Sequence, residues 1–207
     1  MRIVVTRPRE QAGELAARLE QFGHEVSVCP LIEIEPIGPE EIEVSGYDWL
    51  LVTSPNAARE LSRRMRGRPK RVAAIGPGTA MELPDRPDLV PSVSTQEGLL
   101  AELPRPAGRV LFAGAEDARR LLADELGADF VPLYRTRQLN APDFPEADLV
   151  LLASASAARA YAALGRTTPA VSIGPQTTEA ARRGGVTVVA EAASHDLDGL
   201  VAAVADA

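Results

Sequence analysis

The residues best suited to chemistry in this 207-residue chain lie in short clusters of hydroxyl, glycine and proline types: Thr53-Ser54-Pro55, Gly76-Pro77-Gly78-Thr79, Ser154, and Gly174-Pro175-Gln176-Thr177. Serine and threonine at a helix start cap its free N–H groups. The same N–H groups, with roughly half a positive charge behind them, can receive an anion without any lysine. Thr6-Arg7 and Ala113-Gly114 close two further apolar runs and belong to the same set. Tyr134 stands apart. It is one of three tyrosines and ends an apolar run, where a phenol can donate a hydrogen bond or a proton to a leaving oxygen. Its ordinary pKa near ~10 makes it a reluctant acid. Packing at a hinge accounts for it equally well.

Other chemistries are excluded by what is missing. Cys29 is the single cysteine, and with His24 and His195 it offers neither an internal disulfide nor a zinc cluster. His24 reads as a surface turn residue and His195 as a neighbour of a helix cap. Asp48 and Asp148 precede apolar runs and read as structural. Neither glycine-proline cluster continues into Gly-Lys-Ser/Thr or Gly-x-Gly-x-x-Gly, so nucleoside phosphates and dinucleotides are poor candidates. No Ser–His–acid set or carboxylate pair stands out. The net charge of −7 disfavours nucleic acid, so an anionic ligand would have to be held by local groups. No apolar run approaches the ~20 residues of a membrane span, and Arg2-Ile3-Val4-Val5 reads as a strand, so a cytoplasmic protein with no membrane partner is expected. With no long exposed apolar stretch, a monomer is expected.

The elements that must position these residues come in two copies. Asp48-to-Arg59 matches Asp148-to-Arg159 in pattern, Ile75-Gly76-Pro77 recurs as Ile173-Gly174-Pro175, and Ser94-to-Leu100 is echoed by Ser194-to-Leu200. Arg2-to-Val5 pairs with Arg109-to-Phe112, and Pro30-Leu31-Ile32 with Pro132-Leu133-Tyr134. The chain is thus two copies of a plan of about 100 residues. Apolar runs at 2–5, 25–29, 49–52, 71–75, 109–113, 129–134, 149–153, 170–173 and 186–189 alternate with amphipathic stretches, which predicts parallel strands covered by helices. In the first helix Ala12, Leu15, Ala16, Leu19 and Phe22 form one stripe that Gly23 ends. A helix from Glu116 to Gly127 is expected as its counterpart.

Pro36-Ile-Gly-Pro39 and Asn140-Ala-Pro-Asp-Phe-Pro145 break this rhythm at equivalent places and read as linkers. They predict a discontinuous domain of residues 1–35 plus 140–207 and a second of 36–139, joined by a two-stranded hinge in which Glu33 and Glu35 lie near Arg135 and Arg137. Two contiguous halves with one linker near 104–107 are the alternative. In doubly wound sheets ligands sit at the carboxyl ends of the strands, so two such edges confronting each other across a hinge would form a cleft.

Taken in order, the Val52-Thr53-Ser54-Pro55 and Ile173-to-Thr178 turns, Leu133-Tyr134-Arg135-Thr136 and the Ser194-to-Leu200 helix entry resemble the uroporphyrinogen-III synthase family over essentially the whole chain. The resemblance implies two flavodoxin-like three-layer α/β domains with parallel sheets, joined by a two-stranded β connector. It implies closure of the linear tetrapyrrole hydroxymethylbilane to uroporphyrinogen III, with loss of water and inversion of the last ring through a spiro intermediate, and needs no cofactor. Tyr134 matches the family's proposed catalytic tyrosine; Thr53, Ser54, Thr79, Ser154 and Thr177 match polar cleft residues, which Arg7 and Gly114 would join in binding substrate. Ala153 and Ala155 depart from Thr53 and Pro55, so that side would bind mainly through backbone N–H groups. The competing reading is a two-lobed protein that binds a small anionic metabolite without chemistry.

Overall fold

The apolar runs at Trp49–Val52 and Leu149–Leu152 become central strands buried on both faces, and the amphipathic stretches between strands become the covering helices. The computed structural model describes residues 1–207. In chain order the elements are β1 (Arg2–Val5), α1 (Arg9–Gln21), β2 (Glu25–Val28), β3 (Ile32–Pro36), β4 (Ile42–Glu43), β5 (Trp49–Val52), α2 (Pro55–Arg64), β6 (Met65–Arg66), β7 (Arg71–Ala74) and α3 (Pro77–Ala80). They continue as α4 (Gln96–Glu102), β8 (Val110–Ala115), α5 (Leu121–Leu126), β9 (Asp129–Gln138), β10 (Leu149–Leu152), α6 (Ala155–Ala163), β11 (Ala170–Ser172), α7 (Pro175–Arg183), β12 (Val188–Glu191) and α8 (Leu197–Val204). No helix is long and apolar enough to cross a membrane. The chain forms two compact units, residues 1–33 with 136–207, and residues 34–135.

The first unit holds a parallel sheet ordered β12-β11-β10-β1-β2. Renumbered within the unit this is the 2-1-3-4-5 order of flavodoxin-like folds. Alternate strand residues feed opposite faces. Val4, Val150 and Leu152 pack with Tyr161 and Ala157 on one side. Ile3, Val5, Leu149 and Leu151 pack with Leu15, Leu19 and Leu200 on the other. Ala12, Leu15, Ala16 and Leu19 of α1 are buried as its stripe predicts, but Phe22 is 71% exposed. Phe22 is the C-cap, where the chain leaves the helix and the periodicity no longer applies.

In the second unit the order is β3-β9-β8-β5-β7, with a further parallel bridge from Ala73 to Leu89. β5, β8, β7 and β9 are parallel and correspond to β10, β1, β11 and β2 of the first unit. Leu50, Val52, Leu111 and Ala113 pack with Ala57 and Leu61 on one face, and Trp49, Leu51, Val110 and Phe112 with Leu99 and Leu122 on the other. The helix expected from Glu116 begins only at Leu121. β8 instead runs on to Ala115, and the Glu116 N–H donates to Tyr134 O at 2.8 Å, so the ladder outcompetes the helix there.

Both unit boundaries fall inside β3 and β9, which are neighbours in the sheet. Leu139 N–H donates to Leu31 O and Ile37 N–H to Leu133 O, so the two segments run in opposite chain directions. Arg137 pairs with Glu33, as the alternating charges predict, whereas Arg135 turns to Glu116 at 3.2 Å.

The structural reading of the two aspartates holds. The Asp48 carboxylate accepts the Arg109 N–H at 2.7 Å at the head of β8, and Asp148 accepts the Arg2 N–H at 2.8 Å at the head of β1. One device therefore pins the same strand pair in each unit.

Candidate active site

Each sheet ends in a rim of helix starts, and the structure sets the expected residues there. In the second unit Ser54 is the N-cap of α2, its hydroxyl oxygen accepting the Ala57 N–H at 3.0 Å, with Pro55 in the first turn. The topological switch of this sheet lies between β5 and β8. Thr53 and Ser54 follow one of these strands, and Gly114 lies near the end of the other, at a register shift. A Cβ on Gly114 would stand 3.3 Å from Thr53 Oγ1 and 3.2 Å from the Phe112 ring, closer than packing comfortably allows. Glycine there brings β8 against the Thr53 turn.

Tyr134 reaches this turn from β9. It is 6% exposed, and its phenol oxygen lies 3.0 Å from Ser54 Oγ. Burial raises the phenol's pKa, opposed by hydrogen bonds from the Ser54 and Asn56 side chains and by the charge of Arg59, while Asp117 adds to the rise. Tyr134 therefore stays protonated through neutral pH.

Thr79 sits on the four-residue α3 with its side chain buried and its N–H donated to Gly76 O. Gly76 packs against Ser94, whose Oγ would meet an added Cβ at 2.7 Å.

The first unit repeats the plan with other side chains. Ser154 caps α6 through Ala157 N–H at 3.1 Å, and Thr6 ends β1 with its hydroxyl donating to Leu151 O at 2.8 Å. Arg7 follows, its guanidinium near Gln11 at 3.4 Å. Thr177 is buried on α7, with its N–H donated to Gly174 O. Thr178 links Ser172 of β11 to Glu191 of β12, fastening the first turn of that helix. His195 is more than a cap neighbour: its imidazole would meet a Cβ on Gly174 at 2.8 Å, so it lies across the start of α7 as Ser94 lies across that of α3. The echo between the two helix entries thus carries a one-residue shift, because the caps are Thr95 and Asp196.

Sequence reasoning passed over Asn56, Arg59 and Asp117. The signal for Asn56 was its place two residues after Ser54, on the same helical turn. A shallow depression lined by Trp49, Arg71, Asp88, Leu89, Glu102 and Pro104 opens elsewhere, at the amino ends of β5 and β7. No group of three or more His, Cys, Asp or Glu is placed to hold a metal ion.

Paired parallel α/β units with hydroxyl-capped helix starts at the strand ends, one of them holding a buried phenol, define a two-unit flavodoxin-like protein with polar rims. The family model described as uroporphyrinogen-III synthase HemD matches residues 13–202, and the chain belongs to that family. A protein of Archaeoglobus fulgidus is 36% identical over 152 residues, covering 69% of this chain and 64% of its own. The porphyrin biosynthesis protein HemD of Ruminiclostridium josui is 28% identical over 235 residues, covering 94% of this chain and 46% of its own. This chain thus spans less than two thirds of each of these relatives. The crystal structure of uroporphyrinogen-III synthetase from Helicobacter pylori shares the fold, with a TM-score of 0.69 at 18% identity and 99% of both chains covered.

Proposed function

We propose that this chain is a uroporphyrinogen-III synthase, a cofactor-independent lyase that closes hydroxymethylbilane to uroporphyrinogen III with loss of water. The observation that carries the reading is the buried, protonated Tyr134 phenol held by Ser54 at a switch point of a family member's sheet. In this reading Tyr134 donates its proton to the leaving hydroxyl. The C–O bond breaks, water departs, and an electrophilic azafulvenium cation remains beside the Tyr134 phenolate, which regains its proton when the ring that has been attached loses one to restore its aromaticity. The substituted carbon of the last ring attacks it first, giving the spiro intermediate from which the inverted ring follows.

The substrate supplies most of the reactivity, so the protein's main task is to choose the carbon that attacks. Each factor of ten in favour of one closure needs about 1.4 kcal/mol of differential stabilisation, which positioning can supply. Carboxylates of the substrate are taken by Arg7 and by N–H groups at the starts of α2, α6 and α7, with Thr53, Ser54, Thr79, Gly114, Ser154 and Thr177 shaping those rims. Such donors suit a polyanion despite the net charge of −7. A monomer acting in the cytoplasm is the setting this reading takes.

Supplying hydroxymethylbilane and separating the products tests it. The expected product is the type III isomer, and Tyr134→Phe should lower kcat about 100-fold, as loss of a general acid does. Exclusive type I product from the intact chain would leave the non-catalytic binding reading standing instead. An unchanged rate and isomer ratio in Tyr134→Phe would remove the acid role alone.

A further inference from the structure

The main chain just before Tyr134 carries one residue more than its neighbour. Gly114 of β8 pairs with Pro132 of β9, and the next residue, Ala115, pairs with Tyr134, so Leu133 has no partner on β8. Such a bulge moves the side chains that follow it to the other face of the sheet. Up to that point β9 alternates, with Phe130 on the face of Leu99 and Val131 on the face of α2. Leu133 and Tyr134 then both pack on the α2 face, with Ala57 and Leu61. The extra residue is what sends the phenol to Ser54 rather than to the opposite side.

Arg64, in the last turn of α2, is bound to this bulge. Its Nη2 donates to Leu133 O at 2.6 Å, its Nη1 to Ile37 O at 2.6 Å and Pro39 O at 3.3 Å, and its Nε to Glu60 O at 3.2 Å. Glu60 Oε2, 3.4 Å from Nη2, faces the N–H that remains. A guanidinium has five N–H groups, and all of them are thus spent inside the protein. None is left for a substrate carboxylate. Leu133 O also accepts the Ile37 N–H at 2.9 Å, so the carbonyl of the unpaired residue is held from two sides.

The internal repeat shows what this bend needs in order to form. Leu31 and Ile32, the counterparts of Leu133 and Tyr134, also share one face, and Leu31 O accepts the Leu139 N–H at 2.9 Å. In that copy Leu164 takes the place of Arg64 and Ala160 that of Glu60, and both pack on the same apolar cluster as Leu31. Consecutive inward residues therefore arise there without a guanidinium. The arginine and its carboxylate are present only in the copy that carries the phenol, which points to placement of the phenol rather than to folding of the bend.

We propose that Arg64, oriented by Glu60, is a positioning residue for Tyr134: it fixes the Leu133 bulge so that the phenol stays against Ser54. α2 is the rigid link, since Ser54 caps its start and Arg64 closes its end. The proposal deepens the synthase reading and rests on it for the identity of the reaction, though not for the placement of the ring.

The test uses Arg64→Met, Arg64→Lys and a control, Leu99→Ala. Leu99 is buried on the opposite face of the same sheet, where its truncation costs stability through a cavity. Arg64→Met is expected to lower kcat for type III product about tenfold with KM within about twofold, because displacing a reacting group is costly while the substrate-binding rims keep their donors. Arg64→Lys keeps the charge but not the planar fork, and about a threefold loss of kcat is expected. Leu99→Ala should leave kcat within about twofold. Equal losses in Arg64→Met and Leu99→Ala would reduce Arg64 to a stabilising residue, and a change confined to KM would make it a substrate contact; either result overturns the proposal. If Arg64→Met fails to fold, Arg64→Lys decides, and a parental kcat in it overturns the proposal.

A second readout needs no substrate. With ring-labelled tyrosine, the Tyr134 Cζ resonance is assigned by its disappearance in Tyr134→Phe. Both Arg64 variants should displace it, while Leu99→Ala leaves it in place and Tyr161, in the other unit, stays unmoved throughout. If the intact chain makes only type I product but the resonance moves as expected, the placement stands and the reaction assignment falls. If type III product forms and the resonance stays put in both Arg64 variants, the placement is refuted and the synthase reading stands.

Discussion

Ser54 holds the Tyr134 phenol at 3.0 Å with the same oxygen that caps α2. One hydroxyl therefore serves the stability of a helix and the placement of the group we assign to proton transfer. Ser154 is its counterpart in backbone geometry, with φ and ψ of −164° and 156° against −163° and 155°. It faces a copy in which isoleucine replaces the tyrosine.

This pair separates capping from chemistry. Ser54→Ala and Ser154→Ala should each lower unfolding free energy by about 1 kcal/mol, the ordinary worth of a serine N-cap. Their kinetics should differ. Ser54→Ala is expected to lower kcat about fivefold through Tyr134, whereas Ser154→Ala should act on KM through the α6 rim. Urea titration with steady-state assays on hydroxymethylbilane checks both halves. Matching kcat losses in the two variants would show that the Ser54 contact to Tyr134 has no part in the reaction.

Much of this arrangement is legible in the sequence, because strands such as Trp49–Val52 and Leu149–Leu152 are apolar throughout and are bounded by turn residues. The caps Ser54 and Ser154 could be read from residue type and place alone, since capping is local. Where tertiary contacts decide, the pattern fails. Residues 116–120 read as helix because Leu121, Leu122 and Leu126 set a period that extends backward too easily, yet the Glu116 N–H is taken by Tyr134 O. Arg120, just before α5, lies over the Phe130 ring instead, 3.7 Å from its centroid. The contact between Ser54 and Tyr134 is invisible for a related reason. The two residues lie 80 positions apart, one capping α2 and the other on β9, and no one-dimensional spacing brings them together.

Acid titration should expose a second local device. Glu97, in the first turn of α4, makes two hydrogen bonds with Arg119, at 2.8 and 3.0 Å. Those bonds first, and then its own backbone N–H, hold its pKa down at about 2. The folded value lies below the unfolded one, so the stabilisation is complete above the ordinary glutamate range and is lost as pH falls from about 4.5 toward about 2. Glu97→Gln should therefore flatten the fall in urea midpoint over that window relative to the parent chain. Asp48, Asp129 and Asp148 are also shifted downward and weaken the fold in the same direction, so the informative quantity is the difference between variant and parent. Parallel curves for the two proteins would refute the assignment.

Arg64, at the far end of α2 from Ser54, grips the main chain that presents Tyr134. Its guanidinium donates to Ile37 O and Leu133 O, both at 2.6 Å, and to Pro39 O at 3.3 Å, while Glu60 lies 3.4 Å away. Both side chains are nearly covered, at 13% and 10% exposure. α2 thus meets β9 at two points, through a hydroxyl on the phenol and through a guanidinium on the preceding carbonyl. Replacing Arg64 by methionine keeps most of the packing volume but takes the guanidinium donors from Ile37 O, Pro39 O and Leu133 O, of which Leu133 O keeps the Ile37 N–H, and leaves Glu60 with Arg63 alone of its two arginine partners. Breaking one side of a buried pair costs about 3 kcal/mol. Glu60→Gln should cost less, because Arg64 keeps its carbonyl acceptors, and the double variant should recover part of the Arg64→Met loss by removing the poorly compensated carboxylate. Urea denaturation of the three variants checks this order. A loss below about 1 kcal/mol in Arg64→Met, within the range of an ordinary exposed ion pair, would mean that α2 is joined to β9 through the Ser54 end only.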